Sequence, residues 1–312
     1  MLSAQDNAFL VTSEPNTPMG NYLRCHWHPV ALSEEVATPD CSPIRVKVMG
    51  EDLLLFRDTN GKTGLIEPFC AHRGADLFFG RNEECGIRCI YHGWKYDIHG
   101  NCIDMPNVPK DAAYHGKIKI KAYPTQEFAD MVWAYMGPPE LQASQVPQLE
   151  VGLVPPTQRY VTKRFVECNW VHSMEGALDT AQYSFLHMPA PAFIKDDSTN
   201  IAADEKRIRW LRNDPAPRFQ IIEHPVGFLI GGARNADPGD HYWRLTQYML
   251  PTHSITPSAM PNETYYGYSW TPIDDQHCWM YVYAWNPDLP IPDEERKKYI
   301  EGGFGQFAKL GP

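Results

Sequence analysis

Alternating hydrophobic and polar positions along the first half of the chain predict a series of short strands. The stretch 44–48 (IRVKV) alternates in the way that a half-buried strand requires. Turn signals follow at Asn60-Gly61, a strong hairpin turn, and at His99-Gly100. The strands predicted in this half are 44–48, 52–58, 64–67, 118–122 and 131–136. Residues 1–40 are polar and rich in turn formers, which predicts an irregular entry with one short helix.

The pattern changes after residue 136. Residues 137–156 hold five prolines and few paired apolar positions, which is typical of a linker. A strand at 158–166 and a helix from about 169 to 184 are predicted next. Further strands are predicted at 207–212, 219–223, 227–232, 242–249, 265–270 and 279–285. A charged helix at 292–300 begins with three acidic residues, which suit the positive end of the helix dipole.

These elements predict an α+β protein with two domains: a small all-β domain, then an α+β domain dominated by antiparallel sheet. The length of 312 residues allows two cores of ordinary size. The net charge of −10 and the lack of a Lys/Arg block disfavour nucleic-acid binding, which needs a basic surface. No run of eighteen apolar residues and no signal-like N-terminus are found, so we expect a cytoplasmic protein without a membrane anchor.

Two short segments carry the chemistry of the first domain. Cys70-Ala-His72 is followed, after sixteen residues, by Cys89-Ile-Tyr-His92, so that each segment offers one thiolate and one imidazole. This pattern suits a Rieske-type [2Fe–2S] cluster, in which one iron takes both sulfurs and the other takes both histidines. Gly74, Gly86 and Gly93 are predicted to allow tight turns there, and Trp94 to shield the cluster.

The alternative is a structural zinc site, because two cysteines and two histidines also suit tetrahedral Zn²⁺. Zinc fingers, however, pair cysteine with cysteine and histidine with histidine along the chain. Here each segment carries one of each, and the cluster is the favoured interpretation.

The stretch from Cys70 to Pro106 resembles the Rieske domain of aromatic ring-hydroxylating oxygenase large subunits. The opening MGNYLRCHWHPV and the stretch GEDLLLFRDTNG are most similar to the phthalate dioxygenase type. The resemblance divides the chain into an N-terminal extension (1–40), a Rieske domain (41–137), a linker (138–157) and a catalytic-type substrate domain (158–312). The last of these looks incomplete at its C-terminus.

In the resembled family a mononuclear iron(II) is held by two histidines and a carboxylate in the second domain. The stretch CNWVHSMEGALDTAQYSFLHMP matches that motif at Asp179 and His187, but Gln182 stands where the first histidine is expected. An amide oxygen is a weaker iron(II) ligand than an imidazole. The family's carboxylate ligand lies on a later helix, and we assign no acidic residue of this chain to that role. By resemblance, Asp179 is the catalytic residue that bridges this site to a Rieske histidine of a neighbouring subunit.

The resemblance implies an oxygenase component. It would receive electrons from a flavin or iron–sulfur reductase and use O₂ to hydroxylate, dihydroxylate or demethylate an aromatic acid such as phthalate, as a homotrimer or hexamer. Arg207 and Arg244, on predicted strands, are candidates to bind the substrate carboxylate in a bidentate manner.

The alternative is a Rieske protein that only transfers electrons or binds a partner, with a degenerate, iron-free oxygenase site. Gln182 and the missing carboxylate favour it. A third possibility is a degenerate subunit that works beside a complete one.

Overall fold

The computed structural model describes residues 2–112, 114–187, 203–256, 263–302 and 307, with the backbone alone at 203–205. The α-helices in these residues are α1 (Ala4–Val11), α2 (Pro18–Arg24), α3 (Glu150–Leu153), α4 (Trp170–Leu178), α5 (Ala203–Asn213) and α6 (Asp293–Glu301). None of the described helices is long and apolar enough to cross a lipid bilayer.

Eleven short strands build three small sheets in the first half of the chain. They are β1 (Trp27–Leu32), β2 (Ile44–Val48), β3 (Glu51–Arg57), β4 (Thr63–Ile66), β5 (Arg81–Glu83), β6 (Gly86–Arg88), β7 (Lys95–Tyr96), β8 (Cys102–Asp104), β9 (Ala122–Tyr123), β10 (Thr125–Phe128) and β11 (Met131–Tyr135). The three sheets have the orders β1-β11-β10, β2-β3-β4-β9 and β5-β6-β7-β8. The last of them carries the second cysteine–histidine loop between β6 and β7.

One large antiparallel sheet dominates the second half. Its strands are β12 (Arg159–Val166), β13 (Arg218–His224), β14 (Gly227–Asn235), β15 (His241–Met249), β16 (His253–Thr256), β17 (Tyr265–Pro272) and β18 (Cys278–Trp285). Their order in the sheet is β12-β18-β17-β16-β15-β14-β13. The predicted fold class, all-β followed by an antiparallel α+β domain, is therefore confirmed.

Several sequence predictions of elements are wrong or incomplete. Residues 1–40 hold two helices and the strand β1, which alternation could not reveal because all six of its residues are buried. The stretch 207–212 lies in α5, whose Leu211 is buried three positions after Ile208, a helical spacing. The four-residue β16 is absent from the prediction, and the strand predicted at 118–122 is reduced to β9 at its end.

The proline-rich stretch 137–156, predicted as a linker, is packed into the core. Val146, Leu149, Val151 and Val154 are buried in one cluster with aromatic residues of β18. The large sheet also joins the small ones directly, because the N–H groups of residues 49 and 50 donate to the carbonyls of residues 272 and 273, each at 2.8 Å. The two halves of the chain therefore share buried surface and are joined by backbone hydrogen bonds.

Candidate functional site

Two loops of the same geometry carry the cysteine–histidine pairs. The first follows β4, and the second connects β6 to β7. In the first, the Gly74 N–H donates to the Cys70 carbonyl at 2.9 Å; in the second, the Gly93 N–H donates to the Cys89 carbonyl at 3.0 Å. Both glycines have left-handed backbones, with φ of +67° and +78°. Each loop therefore turns tightly enough to bring its cysteine and its histidine to one side.

The four predicted ligand residues come together between these loops. Cys70 and Cys89 are each 3% exposed, and the rings of His72 and His92 lie edge to face with centroids 4.5 Å apart. Burial raises the pKa of the Cys70 thiol, and the adjacent Cys89 adds to that rise. The Nδ1 atom of His72 is buried without a hydrogen-bond partner among the described residues. A buried imidazole nitrogen without a hydrogen-bond partner is available to bind a metal.

These donors fit a two-iron cluster. Two thiols face each other and two imidazoles face each other, although along the chain each loop holds one of each. Among the described residues, no three His, Cys, Asp or Glu side chains converge on a point that would hold a single metal ion. A zinc ion needs four such ligands at one point, whereas each iron of a sulfide-bridged pair needs two from the protein.

Aromatic side chains enclose the cluster site. Trp94 stacks on His72 with centroids 4.5 Å apart and planes 10° apart, and its indole N–H donates to Asn107 Oδ1 at 2.8 Å. The Tyr96 hydroxyl, 3.3 Å from Cys70 Sγ, is a contact that the sequence prediction missed. Gly86 does not form a turn here, which corrects the prediction. It begins β6, where a Cβ would lie 2.4 Å from the Tyr96 carbonyl oxygen.

A second group of predicted residues lies at the C-terminal end of α4. The helix ends at Leu178, and a 3₁₀ turn over Ala181–Ser184 replaces the predicted continuous helix to residue 184. Asp179 is exposed and is the C-cap residue of α4, and its Oδ1 accepts the Ala181 N–H at 2.7 Å, a local turn at the junction of the two elements. The Gln182 amide donates to the Gly176 carbonyl, so the amide points back at the helix end.

The described residues do not complete a mononuclear iron site. His187 supplies one imidazole, Gln182 offers only an amide oxygen, and no carboxylate joins them among the residues that the structure describes. A site of the two-histidine, one-carboxylate type needs three such ligands on one face of the metal. Two acidic side chains of the second domain are engaged elsewhere: Asp274 bonds His277, and Asp275 accepts from Ser13.

An aromatic and cationic stack lies beside this turn. The Tyr183 ring is stacked on His187 with centroids 4.5 Å apart, and the Arg244 guanidinium carbon lies 3.6 Å from the Tyr183 centroid. Partial burial and the positive charge of Arg244 lower the pKa of His187, which favours its neutral form. Arg244 lies on β15, as predicted, and is 6% exposed.

Arg207, the other candidate for substrate binding, lies in α5 rather than on a strand, and the prediction of its element is wrong. Its helix packs against β14 and the 3₁₀ turn. A buried arginine on β14, Arg234, donates to the Thr180 carbonyl at 2.7 Å. The sequence prediction did not select it, because one arginine in a strand gives no signal of its burial.

Two family models match successive parts of the chain. Residues 21–124 match the family model of the Rieske [2Fe-2S] domain, and residues 134–307 match that of a LigXa C-terminal domain like family. The phthalate 4,5-dioxygenase oxygenase subunit of Pseudomonas putida is 37% identical, with 96% of this chain and 68% of that protein covered. The 3-chlorobenzoate-3,4-dioxygenase oxygenase subunit of Comamonas testosteroni is 32% identical, with 100% and 74% covered.

A solved structure supports the fold. The crystal structure of dicamba monooxygenase bound to dicamba aligns with a TM-score of 0.64 at 17% identity, and covers 89% of this chain and 80% of that one. At this identity the likeness concerns the fold alone. The family matches and the relatives confirm the expected Rieske [2Fe–2S] domain, and with it the class of enzyme. This chain belongs to the phthalate dioxygenase type of Rieske non-heme iron aromatic ring-hydroxylating oxygenases, as the large, oxygenase subunit.

Proposed function

We propose that this oxygenase subunit holds its Rieske cluster through Cys70, His72, Cys89 and His92. The observation that carries the proposal is the pair of equal loops, which places thiol beside thiol and imidazole beside imidazole. Backbone N–H groups favour negative charge on the sulfurs: the Tyr91 N–H donates to Cys89 Sγ at 3.4 Å. The bound cluster supplies one-electron transfer. Oxygenase subunits of this family work in multicomponent systems with ferredoxin or reductase partners, and we propose a flavin or iron–sulfur reductase as the electron donor here.

The substrate that we propose is a small aromatic acid, oxidised with O₂ by hydroxylation, dihydroxylation or demethylation. Two relatives are named for phthalate and 3-chlorobenzoate, both aromatic carboxylates. In this chain, Arg244 and Arg207 are the candidates to bind the carboxylate. Contact with the Tyr183 ring and burial restrict the Arg244 side chain, and a side chain that is already restricted loses less entropy when it binds a carboxylate.

The mononuclear iron is the part of the family pattern that the described residues support least. One observation favours a second candidate function, a Rieske protein limited to electron transfer or partner binding. The Gln182 amide nitrogen donates to the Gly176 carbonyl, and this bond holds the side chain against the end of α4.

We propose a homotrimer or hexamer in which the cluster of one subunit faces Asp179 of the next. Apolar side chains are exposed around the cluster loops, including Ile90 at 61% and Tyr91 at 62%. Large exposed apolar residues beside a redox site are typical of a contact surface. Asp179 is exposed as well, as this arrangement requires. The domain limits given above and a cytoplasmic location remain predictions.

Metal content and O₂ uptake test these proposals together. For the oxygenase we expect three irons and two sulfides per chain: two irons in the cluster, with a Rieske electron paramagnetic resonance signal on reduction, and a third iron that a chelator removes. Cys89→Ser should abolish that signal, and Cys85→Ser, which changes a thiol outside the site, should preserve it. With a reductase and NADH, O₂ uptake should depend on an aromatic acid. Two irons per chain, with no O₂ uptake on any aromatic acid, would support the electron-transfer function instead.

A further inference from the structure

Two arginines from neighbouring strands lie buried beneath the turn that follows α4. Arg234 of β14 is 0% exposed and Arg244 of β15 is 6% exposed. In the register of these strands Arg234 is opposite Tyr242, and Gly232 is opposite Arg244. Directly opposite residues share a face of the sheet, so both arginines project from the same face as diagonal neighbours, about 7–8 Å apart. Two positive charges are therefore held close together away from water.

Several donors of this pair are unused. Arg234 directs Nη2 to the Thr180 carbonyl oxygen at 2.7 Å and lies 3.4 Å from Ser184 Oγ. In the part of the chain that the structure describes, Arg234 Nε and Nη1, Arg244 Nε and Thr180 Oγ1 are buried without a hydrogen-bond partner. Buried polar atoms are nearly always paired, and guanidinium nitrogens can only donate. The missing partner is therefore an acceptor.

A negative partner would suit these donors best. Neither arginine forms an ion pair with a carboxylate among the described residues. The nearby Asp179 accepts the Ala181 N–H, and Asp214 accepts the Asn235 N–H at 2.7 Å. Burial and the neighbouring arginine lower the pKa of Arg234, whereas these two carboxylates act on it through their charge alone and raise that pKa. A carboxylate placed directly against the unused donors would therefore be favourable, because a buried charge is normally paired and hydrogen-bonded.

The surroundings fix the shape of this site. Gly232 gives the turn room to reach the sheet, since a Cβ at this position would lie 2.4 Å from Thr180 Cγ2. On the other side, the Arg244 guanidinium carbon lies over the Tyr183 ring, 3.6 Å from its centroid. The unused donors thus lie between a close-packed turn and an aromatic ring, which suits a planar carboxylate attached to an aromatic ring.

We propose that Arg234 and Thr180, acting with Arg244, form a pocket that binds the carboxylate of the aromatic acid substrate. Arg234 is the inner binding residue, and the Thr180 hydroxyl donates to the same carboxylate. This inference rests on the proposed function in its choice of an aromatic acid. It concerns binding alone and does not require iron beside His187.

Benzoate binding by the cluster-loaded full chain tests the proposal, measured by isothermal titration calorimetry. Benzamide, which has the same shape without the charge, is the matched ligand. We expect benzoate to bind and benzamide to bind at least tenfold more weakly. Arg234→Met should weaken benzoate binding by roughly tenfold to a hundredfold and remove the preference over benzamide. Arg218→Met changes an exposed arginine on the next strand and should leave both affinities unchanged.

Thr180→Val keeps the methyl group against Gly232 and removes only the hydroxyl. This variant tests the proposal even if Arg234→Met fails to fold. We expect it to bind benzoate severalfold more weakly than the wild type, with an unchanged melting temperature. Unchanged benzoate affinity in the folded variants, or equal affinity of the wild type for benzoate and benzamide, would overturn the proposal. Failure of the proposed oxygenase function is a separate result, because O₂ uptake can be absent while benzoate still binds.

Discussion

The Tyr96 hydroxyl lies 3.3 Å from Cys70 Sγ and accepts the Ala71 N–H at 3.1 Å. Because that N–H occupies a lone pair of the oxygen, the phenol proton is left to point at the sulfur. Burial raises the pKa of Tyr96 well above its usual value, so the phenol remains a proton donor at every pH at which the protein functions. A proton shared with a ligand sulfur reduces the negative charge on a cluster, and reduction adds negative charge.

We expect Tyr96→Phe to lower the reduction potential of the cluster. A hydrogen bond to a charged acceptor differs between the two redox states by about 1–2 kcal/mol, which is roughly 40–90 mV for one electron. Spectroelectrochemical titration measures the shift. Tyr114→Phe removes a phenol whose ring lies 6.1 Å from Trp94, and it should leave the potential unchanged. An unaltered potential in Tyr96→Phe would show that the phenol proton does not reach the sulfur.

The two cluster loops differ in the space around their glycines. Alanine in a left-handed backbone costs about 1–2 kcal/mol, and Gly74 and Gly93 share that cost. At Gly93 a Cβ would also lie 2.5 Å from Pro106 Cγ, whereas nothing lies within 4 Å at Gly74. We therefore expect Gly93→Ala to lose most of its cluster and Gly74→Ala to retain more than half. Iron and sulfide per chain give the measure, and equal losses in the two variants would contradict it.

How much of this fold the sequence predicts depends on whether a feature is set by residues that are close together along the chain or far apart. The cluster residues Cys70, His72, Cys89 and His92 are found because two local spacings carry them. Strands with one solvated face, such as β2, also show their alternation. In contrast β1, buried on both faces, has no alternation to read, and its assignment depends on pairing with β11, which is distant in sequence.

The errors in the second half have the same physical origin. The alternation RIRWLR suggested a strand, but Leu211 is buried because α5 packs on β14, a tertiary contact. Arg234 looks like any strand arginine until the turn after α4 covers it. Properties that arise where distant segments meet, including burial and unused hydrogen-bond donors, cannot be read from one segment alone.

Gln182 offers a direct test of the second metal position. We expect Gln182→His to increase affinity for Fe(II) on the order of tenfold or more, because an imidazole replaces an amide that is engaged by the Gly176 carbonyl. Anaerobic Fe(II) titration of the cluster-loaded protein measures the gain. Gln182→Ala also frees the carbonyl but adds no ligand, and it should show no increase. A gain in both variants would mean that release of the turn, rather than the new imidazole, creates the site.

Two histidines are buried in the core between the two halves of the chain. His28 donates from Nε2 to the Leu23 carbonyl at 2.8 Å, and His253 Nδ1 lies 2.6 Å from Ser269 Oγ. Burial lowers the pKa of His28 to about 3 and that of His253 to about 4. Both are therefore neutral in the folded protein over a range of pH in which the unfolded chain binds a proton at each.

Stability should accordingly fall with acidity below about pH 6.5, the ordinary pKa of histidine, because the unfolded state there binds more protons than the folded state. Above that pH both states are neutral and the effect is absent. For His253 the loss at pH 5 is about 2 kcal/mol relative to pH 7.

The variant His253→Asn keeps a polar side chain near Ser269 and removes the titration. The variant should be less stable at pH 7, because a cavity replaces the ring, yet should lose less stability between pH 7 and pH 5. Thermal unfolding midpoints across this range measure the difference, with His99→Asn, on an exposed turn, as the control. If His253→Asn and the wild type fall in parallel, His253 is not the buried neutral group described here.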